Sequence, residues 1–164
     1  MGWIVVMLLL LIFGGRKERI ATAYLAGGLV LTELVLMPYA REIWPRPRPY
    51  TYIEGIRALG VTWPGTSFPS AHMHLWTQAT IVYGLLYRRW LWPLVVLTLL
   101  TAYSRPYAGM HHLLDVLGGI AVGVPMGILE LWIARRLLGA RDTDEATDDD
   151  VPDDAPEACA ESET

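Results

Sequence analysis

Five apolar segments dominate the chain and limit what it can fold into. They cover residues 2–15, 20–40, 71–87, 90–103 and 112–138. Hydrophobic residues make up 53% of the sequence, which is more than an ordinary soluble domain contains. A hydrocarbon core of roughly 30 Å takes about 20 helical residues, so the second and fifth segments are long enough to cross it and the first and fourth are short. The sequence therefore predicts an all-α, multi-pass transmembrane helix bundle of about five spans.

The last 24 residues differ sharply from the rest. Residues 141–164 hold 11 of the 17 acidic residues and one of the 13 basic residues. They have almost no large apolar side chain, so they cannot bury enough surface to offset the entropy lost on ordering. We predict a membrane domain over residues 1–140 and a disordered acidic tail over 141–164. The sole cysteine, Cys159, lies in this tail, so neither an intrachain disulfide nor a thiolate metal site is expected.

Positive charge predicts the orientation of the bundle. If the connections alternate, one side carries eight basic residues: Arg16, Lys17, Arg19, Arg88, Arg89, Arg135, Arg136 and Arg141. By the positive-inside rule this side is cytoplasmic, and the tail with it. The opposite, outer side carries Arg41, Arg46, Arg48, Arg57, Arg105 and all four histidines. Five arginines on that side need an anionic partner, which is a lipid headgroup or a phosphate; nucleic acid is not an expected partner.

A short polar string precedes the fifth segment. Ser104 and Arg105 are followed by His111 and then by Asp115. We predict His111 and Asp115 in the first turns of a helix, where positions four apart share a face. A carboxylate there accepts the proton of one imidazole nitrogen and leaves the other nitrogen as a nucleophile or base. Arg105 supplies a guanidinium fork suited to phosphate oxygens. For the His–Asp pair alone, an ordinary helix-surface contact is the default interpretation.

Two more polar segments fall on the same outer side. One begins at Arg41 and, after six intervening residues, reaches Arg48 and Pro49; the other is the run Pro69, Ser70, Ala71, His72. With the string above, they resemble the three signature motifs of the type-2 phosphatidic acid phosphatase superfamily: Lys-x6-Arg-Pro, Pro-Ser-Gly-His and Ser-Arg-x5-His-x3-Asp. That superfamily also contains the vanadium haloperoxidases. The resemblance covers roughly residues 41–115 and the spans around them, and three spaced motifs in this context form a specific pattern.

The resemblance implies a role for each motif residue. His111 would attack phosphorus to form a phosphohistidine, Asp115 would orient its imidazole, and His72 would protonate the leaving oxygen. The phosphate would lie in a cradle made of Arg41, Arg48, Arg105, the Ser70 hydroxyl and the Ala71 amide. No metal or other cofactor is expected, because the guanidiniums supply the positive charge. Water would then release phosphate from the histidine.

The sequence departs from the family pattern at two motif positions. Arg41 replaces Lys, which keeps the charge but changes a compact ammonium into a planar fork. Ala71 replaces Gly, and a methyl group there would hinder the approach of the backbone amide to a phosphate oxygen and lower activity. Family members also commonly have six spans, so the chain would lack the first of them, with an amino terminus shortened either naturally or by a mis-assigned start.

These features favour a membrane-embedded phosphatase that hydrolyses a lipid phosphate or diphosphate of the phosphatidic acid, phosphatidylglycerol phosphate or polyprenyl diphosphate class. One alternative is a catalytically weakened lipid-phosphate binding or scaffold protein, for which Ala71 is the best support. Another is a transporter, against which stand the few charged groups at mid-depth and the lack of an internal repeat. A soluble haloperoxidase does not fit the apolar segments. A metal site of four imidazoles is disfavoured, because histidines two apart on a helix diverge and nearby arginines repel a cation.

Several residues inside the spans have structural interpretations. The glycines at 27, 28, 118, 119, 123 and 127 are expected to let helix backbones approach closely, as is usual in lipid. Glu33 and Glu130 are ionisable groups within apolar segments, where a structural partner is expected. For Glu33, about two turns below the outer end of its helix, contact with the site is the alternative. Arg135 is the partner predicted for Glu130, unless that side chain snorkels. The run 50–57 is apolar enough to lie at the interface, either guiding a headgroup inward or covering the site.

Overall fold

The protein is a bundle of helices in the part of the chain that the structure describes. The computed structural model covers residues 2–56, 58–59, 62 and 65–148, with side chains described between residues 4 and 139. All regular structure in these ranges is helical, which confirms the all-α prediction. The elements are α1 (Gly2–Phe13), α2 (Arg16–Leu31), a π-helical turn (Thr32–Leu36), α3 (Met37–Ile43), a 3₁₀ turn (Pro49–Thr51), α4 (Ala71–Leu86), α5 (Arg88–Tyr107) and α6 (Leu113–Asp148).

Two helical runs are long and apolar enough to cross a membrane. The first is the continuous helix Arg16–Ile43, made of α2, the π turn and α3; the second is Leu113–Gly139 within α6. They correspond to the two apolar segments whose length in sequence sufficed for a span. Helices α1 and α5 expose apolar side chains along much of their length, such as Leu99 at 64% and Trp92 at 73%, whereas α4 exposes only His72. Large exposed apolar surfaces suit a lipid environment, and the number of spans stays a prediction.

The last helix extends eight residues into the segment predicted as a tail, whose disorder stays a prediction. Helix α6 continues without a break through Asp148. Extending an existing helix adds a backbone hydrogen bond per residue without a new nucleation step, and residues 141–148 contain neither glycine nor proline. Residues 149–164, with Cys159, lie outside the described residues.

Basic residues gather at one end of the bundle, as the alternating connections predicted. The Lys17 ammonium lies 5.2 Å from the centroid of the Tyr87 ring, and the Tyr87 hydroxyl donates to Glu18 at 2.7 Å. Arg135 donates to the Leu85 carbonyl at 3.1 Å. The α1–α2 turn, the α4–α5 turn and the later part of α6 therefore lie together. The 28-residue helix that starts at this end places the described part of the loop after Ile43 at the other end, about 40 Å away.

Helices α4 and α6 pack closely because three glycines of α6 recur every four residues on one face. A Cβ at Gly119 would lie 2.5 Å from the Ser70 carbonyl oxygen, and one at Gly123 would lie 2.8 Å from the His74 carbonyl oxygen. At Gly127, the nearest atom would be 3.1 Å away. The predicted packing role of these glycines is confirmed. Close contact along this seam places the first turn of α4 beside the first turn of α6.

A second contact joins α2 to α6 and corrects two predictions. Gly28 lies directly against the Glu130 carboxyl, whereas a Cβ at Gly27 would meet nothing within 4 Å. Glu130 does not pair with Arg135: it is 4% exposed and has no hydrogen-bond partner within the described residues. Five helical positions correspond to a rotation of roughly 140°, so Glu130 points toward α2 while Arg135 points elsewhere.

The glycine seam predicts an asymmetry between two single substitutions. Gly123→Ala should lower the free energy of unfolding by about 1–3 kcal/mol, because the methyl group forces α4 and α6 apart. Gly27→Ala is the matched control, and it should be neutral or stabilising by up to about 1 kcal/mol, since alanine favours the helix and meets no neighbour. Thermal unfolding in detergent measures both. Equal stability of the two variants would contradict close packing at Gly123.

Candidate active site

The three motif segments are joined by backbone hydrogen bonds at the end of the bundle opposite the basic turns. The Ser67 N–H donates to the Arg46 carbonyl at 2.7 Å, which links the segment before α4 to the loop after α3. The Ser70 N–H donates to the Asp115 carbonyl at 2.9 Å, linking the starts of α4 and α6. The Tyr50 N–H donates to the Gly109 carbonyl at 3.2 Å. Segments far apart in sequence therefore form one site.

His111 lies just before α6 and not on it, which corrects the predicted helical position. Its Nδ1 is 2.8 Å from the Ser67 carbonyl oxygen, and its side chain is 7% exposed. A carbonyl oxygen only accepts hydrogen bonds, so Nδ1 carries the proton and Nε2 carries the lone pair. Asp115 Oδ2 is 3.7 Å from the same Nδ1. The imidazole is thus oriented mainly by a backbone carbonyl, where the sequence predicted the carboxylate.

Asp115 caps the start of α6, which explains why His111 falls outside the helix. Its carboxylate accepts the His112 backbone N–H at 2.7 Å and lies 3.2 Å from His112 Nδ1. A carboxylate at the third helical position that reaches back to the N-cap amide is half of a capping box. Arg46 Nη1 donates to the other carboxylate oxygen at 3.4 Å. The Asp115 side chain is fully buried, and these contacts compensate for the burial of its charge.

Arg48 faces the free nitrogen of His111. Its Nη1 lies 3.4 Å from His111 Nε2 and donates to the Met110 carbonyl at 3.2 Å. Burial lowers the pKa of Arg48, and the nearby Arg41 acts in the same direction, yet a guanidinium stays protonated at neutral pH. The Arg48 Nε is buried without a hydrogen-bond partner within the described residues. An unpaired buried donor beside a nucleophilic nitrogen is suited to an anionic oxygen.

The start of α4 contributes a hydroxyl, backbone amides and an imidazole. Ser70 immediately precedes the helix, is fully buried, and its hydroxyl has no partner within the described residues. Ala71 and His72 are the first two residues of α4. Amides at these positions lack acceptors inside the helix and favour an anion. His72 is exposed, and Arg105, His111 and Glu33 lie close enough to act on it electrostatically.

The other two arginines of the predicted cradle approach from α3 and α5. Arg105 lies in the last turn of α5, and its Nε donates to the Ser104 hydroxyl at 3.2 Å. Arg41 lies near the end of α3, with Nη2 3.6 Å from Glu33 Oε2. Arg105 lies close enough to His72, and Arg41 close enough to Arg48, to act on them electrostatically, so both guanidiniums lie near the other residues of the site.

The two remaining histidines have their own partners. His74 Nε2 lies 2.9 Å from Glu33 Oε1, and His74 is buried below the start of α4. His112 Nε2 lies 2.8 Å from the Tyr52 hydroxyl, and the two rings stack with centroids 6.1 Å apart. The loop that carries Tyr52 is therefore packed onto the site through His112.

Sequence reasoning missed three residues that support this site. Ser67 supplies the carbonyl that orients His111, Arg46 pairs with Asp115, and His112 joins Asp115 to Tyr52. The only signal for His112 was its spacing of three from Asp115. The signal for Arg46 was weaker: Arg46 and Pro47 form a second Arg-Pro pair directly before the motif pair Arg48 and Pro49. Ser67 gave none, since any residue type has a carbonyl.

The tautomer of His111 is directly measurable. When its imidazole is neutral, His111 should carry its hydrogen on Nδ1, because the Ser67 carbonyl accepts a hydrogen bond from that nitrogen. Nitrogen NMR of histidine-labelled protein in detergent distinguishes the two tautomers, and His111→Gln assigns the signal by its disappearance. A neutral His111 with its hydrogen on Nε2 would contradict the geometry.

Comparison with known proteins finds one family model and several relatives to which the chain is similar. The family model described as PAP2 superfamily matches residues 19–138. Two curated relatives are an undecaprenyl-diphosphatase, BcrC, of Bacillus subtilis, 30% identical over 78% of this chain, and an undecaprenyl-diphosphatase of Sulfolobus acidocaldarius, 28% identical over 80%. The aligned parts cover 65% and 63% of those relatives, so the chain spans slightly less than two thirds of their length.

The chain is also similar in fold to a solved structure. The crystal structure of LpxE from Aquifex aeolicus is similar with a TM-score of 0.64 and 29% sequence identity. The similarity covers 80% of this chain and 78% of the other. The expected family resemblance, drawn from three motifs, is therefore confirmed over most of the chain.

Proposed function

The chain belongs to the PAP2 superfamily, and from that premise we propose that it is a membrane phosphatase that hydrolyses a lipid phosphate or diphosphate. The observation that carries the proposal is the His111 side chain. Its Nδ1 is held by the Ser67 carbonyl at 2.8 Å, and its Nε2 lone pair faces a guanidinium 3.4 Å away. A fixed nucleophilic nitrogen beside an anion-binding group is what attack on phosphorus requires.

In the proposed first step, the phosphate is held by charge and backbone dipoles. Arg48, Arg41 and Arg105 face its oxygens, and the Ser70 hydroxyl and the Ala71 amide donate from the start of α4. Phosphoryl transfer depends mainly on positioning and on stabilising charge at the equatorial oxygens. The guanidiniums supply positive charge of the kind that metal ions supply in other phosphoryl-transfer sites.

The covalent step transfers the phosphoryl group to the enzyme. The Nε2 lone pair of His111 forms a bond to phosphorus while the bond to the leaving oxygen breaks, and His72 gives its proton to that oxygen. Asp115 and the Ser67 carbonyl stabilise the positive charge that develops on the His111 ring. Water then attacks the phosphohistidine, His72 takes the proton of the water, and inorganic phosphate leaves.

The proposed substrate is a membrane lipid with a phosphate or diphosphate headgroup. The site lies at one end of the bundle, where a headgroup at the membrane surface meets it while the apolar tail stays beside the exposed apolar helices. Phosphatidic acid, phosphatidylglycerol phosphate and polyprenyl diphosphates are the classes considered. The names of the two curated relatives favour a polyprenyl diphosphate. We propose that the site faces outward, because the basic turns lie at the opposite end.

The alternative of a weakened binding or scaffold protein rests on Ala71. The backbone amide of this residue lies at the first position of α4, beside the buried Ser70 hydroxyl. A methyl group there restricts the approach of a phosphate without removing any residue of the proposed chemistry. The transporter alternative has one comparison in its favour, the name of a further relative, a bacitracin transport permease protein of Bacillus licheniformis that is 27% identical over 74% of this chain.

Phosphate release from purified protein tests the proposed activity. Wild type in detergent should release phosphate from a polyprenyl diphosphate, and His111→Ala should lower the rate by at least about 10⁴-fold, since it removes the nucleophile. Arg48→Ala should also lose most activity. Arg88→Ala, at the basic end of the bundle, is the matched control and should retain it. A chelator should leave the rate unchanged.

Three results would contradict this assignment. They are release by His111→Ala at the wild-type rate, loss of activity on chelation with recovery on adding zinc, and no release from any of the lipid phosphates named above.

The two histidines predict a bell-shaped dependence of the rate on pH. His111 must be neutral to attack, so activity falls at low pH. His72 must be protonated to act as the acid, so activity falls as pH rises through its pKa; a bound phosphate favours this protonated form. The measurement is kcat between pH 4 and pH 10 under conditions where chemistry limits the rate, with those limits chosen to bracket the usual histidine pKa of about 6.5. A flat profile would contradict these roles.

A further inference from the structure

A buried polar network lies below the start of α4 and reaches the site through Glu33. The Gln78 amide nitrogen is 3.2 Å from both the Thr32 hydroxyl and His74 Nδ1. Because this amide donates to Nδ1, the His74 hydrogen is on Nε2, where it donates to Glu33 Oε1 at 2.9 Å. Thr32, His74 and Gln78 are all at most 1% exposed. The inner oxygen of Glu33 is therefore held by a rigid, buried support.

The outer oxygen of Glu33 meets a residue of the proposed phosphate cradle. Glu33 Oε2 lies 3.6 Å from Arg41 Nη2, and the two side chains are 41% and 38% exposed. A guanidinium has five N–H donors on a planar fork. A contact on one nitrogen leaves the other donors of Arg41 for phosphate oxygens. Glu33 thus connects a buried histidine to a cation at the site.

The sequence places Glu33 and Arg41 on one side of the helix through a proline. Pro38 has no N–H to donate to the Leu34 carbonyl. The π turn Thr32–Leu36 ends two residues before Pro38. In an uninterrupted α-helix, positions eight apart differ by roughly 80°. One π bulge adds a residue to the turn, so that positions eight apart share a face. π bulges occur frequently at functional sites.

We infer that Glu33 is a positioning residue that holds the Arg41 guanidinium at the phosphate, supported from within the bundle by His74. The inference rests on the proposed function and adds to it a residue outside the three motifs. An unrestrained arginine loses rotamer freedom when it binds a phosphate, and a side chain already held by Glu33 loses less. The fork of an arginine can meet Glu33 and phosphate at once. This gives a physical reason for Arg41 where the family pattern has lysine.

A pair of charge-neutralising substitutions tests the inference. Glu33→Gln should raise KM for the lipid substrate about fivefold and leave kcat within about twofold, because the loss affects binding of the phosphate. Glu42→Gln removes an exposed carboxylate next to Arg41 in sequence and should change neither constant. A merely structural role for Glu33 would lower the melting temperature and the amount of active enzyme without raising KM.

A double substitution tests whether Glu33 acts through Arg41. Arg41→Ala should raise KM by at least about tenfold, since it removes a charged phosphate contact. In that background, Glu33→Gln should have no further effect, because no guanidinium remains to be positioned. A full fivefold increase in both backgrounds would overturn the inference. If Glu33→Gln does not fold, Glu33→Asp shortens the side chain and so lengthens the contact with Arg41, without removing the charge. An unchanged KM in that variant would overturn the inference too.

Binding of inorganic phosphate separates this inference from the proposed function. Calorimetry should show weaker phosphate affinity for Glu33→Gln than for wild type and Glu42→Gln, whether or not the protein turns over a lipid. If wild type releases no phosphate from lipids and this difference remains, the function fails and the positioning role stands. Equal phosphate affinities in all three proteins, with active wild type, would leave the function intact and overturn the role of Glu33.

Discussion

The hydrogen bond between His111 Nδ1 and the Ser67 carbonyl is the contact on which the chemistry of the site depends. It fixes the tautomer, so the second nitrogen faces Arg48 with a lone pair instead of a hydrogen. The same segment is tied to the loop after α3 through the Ser67 N–H. Ser67, whose hydroxyl also lies 3.2 Å from the Arg46 and Pro47 carbonyl oxygens, thereby connects the segment that carries His111 to the segment that carries Arg48. The carboxylate of Asp115 then has two other tasks, which are to cap α6 and to pair with Arg46.

Close packing of α4 against α6, inside the bundle and away from the site, places the site residues together. Gly119 and Gly123 let α4 approach α6 closely enough for the two helix starts to lie side by side. The start of α4 contributes the Ser70 hydroxyl and unpaired amides, and the start of α6 contributes Asp115. The π turn between α2 and α3 also contributes, because it directs Glu33 toward both His74 and Arg41. The arrangement thus depends on backbone geometry inside the bundle as much as on the motif residues.

Much of the fold could be predicted from sequence, because hydropathy and spacing report on it directly. The two long helical runs, the all-helical class and the glycine seam follow from local patterns. The predictions that failed depend on tertiary contacts. His111 was expected in the first turns of the helix, but Asp115 caps α6 and the helix starts at Leu113. Glu130 was expected to pair with Arg135, but the helix turns it toward Gly28. A backbone carbonyl such as that of Ser67 leaves no trace in a sequence, so its role could only be found in coordinates.

The most direct test of the account is to locate the phosphoryl group during turnover. Wild type mixed with a labelled polyprenyl diphosphate, quenched within one turnover in alkali and mapped by mass spectrometry, should carry an acid-labile phosphoryl group on His111. His72→Ala should also form it with a good leaving group, because that reaction needs no acid. Turnover with the label on another residue, or without any covalent phosphoryl enzyme under these conditions, would contradict nucleophilic attack by His111.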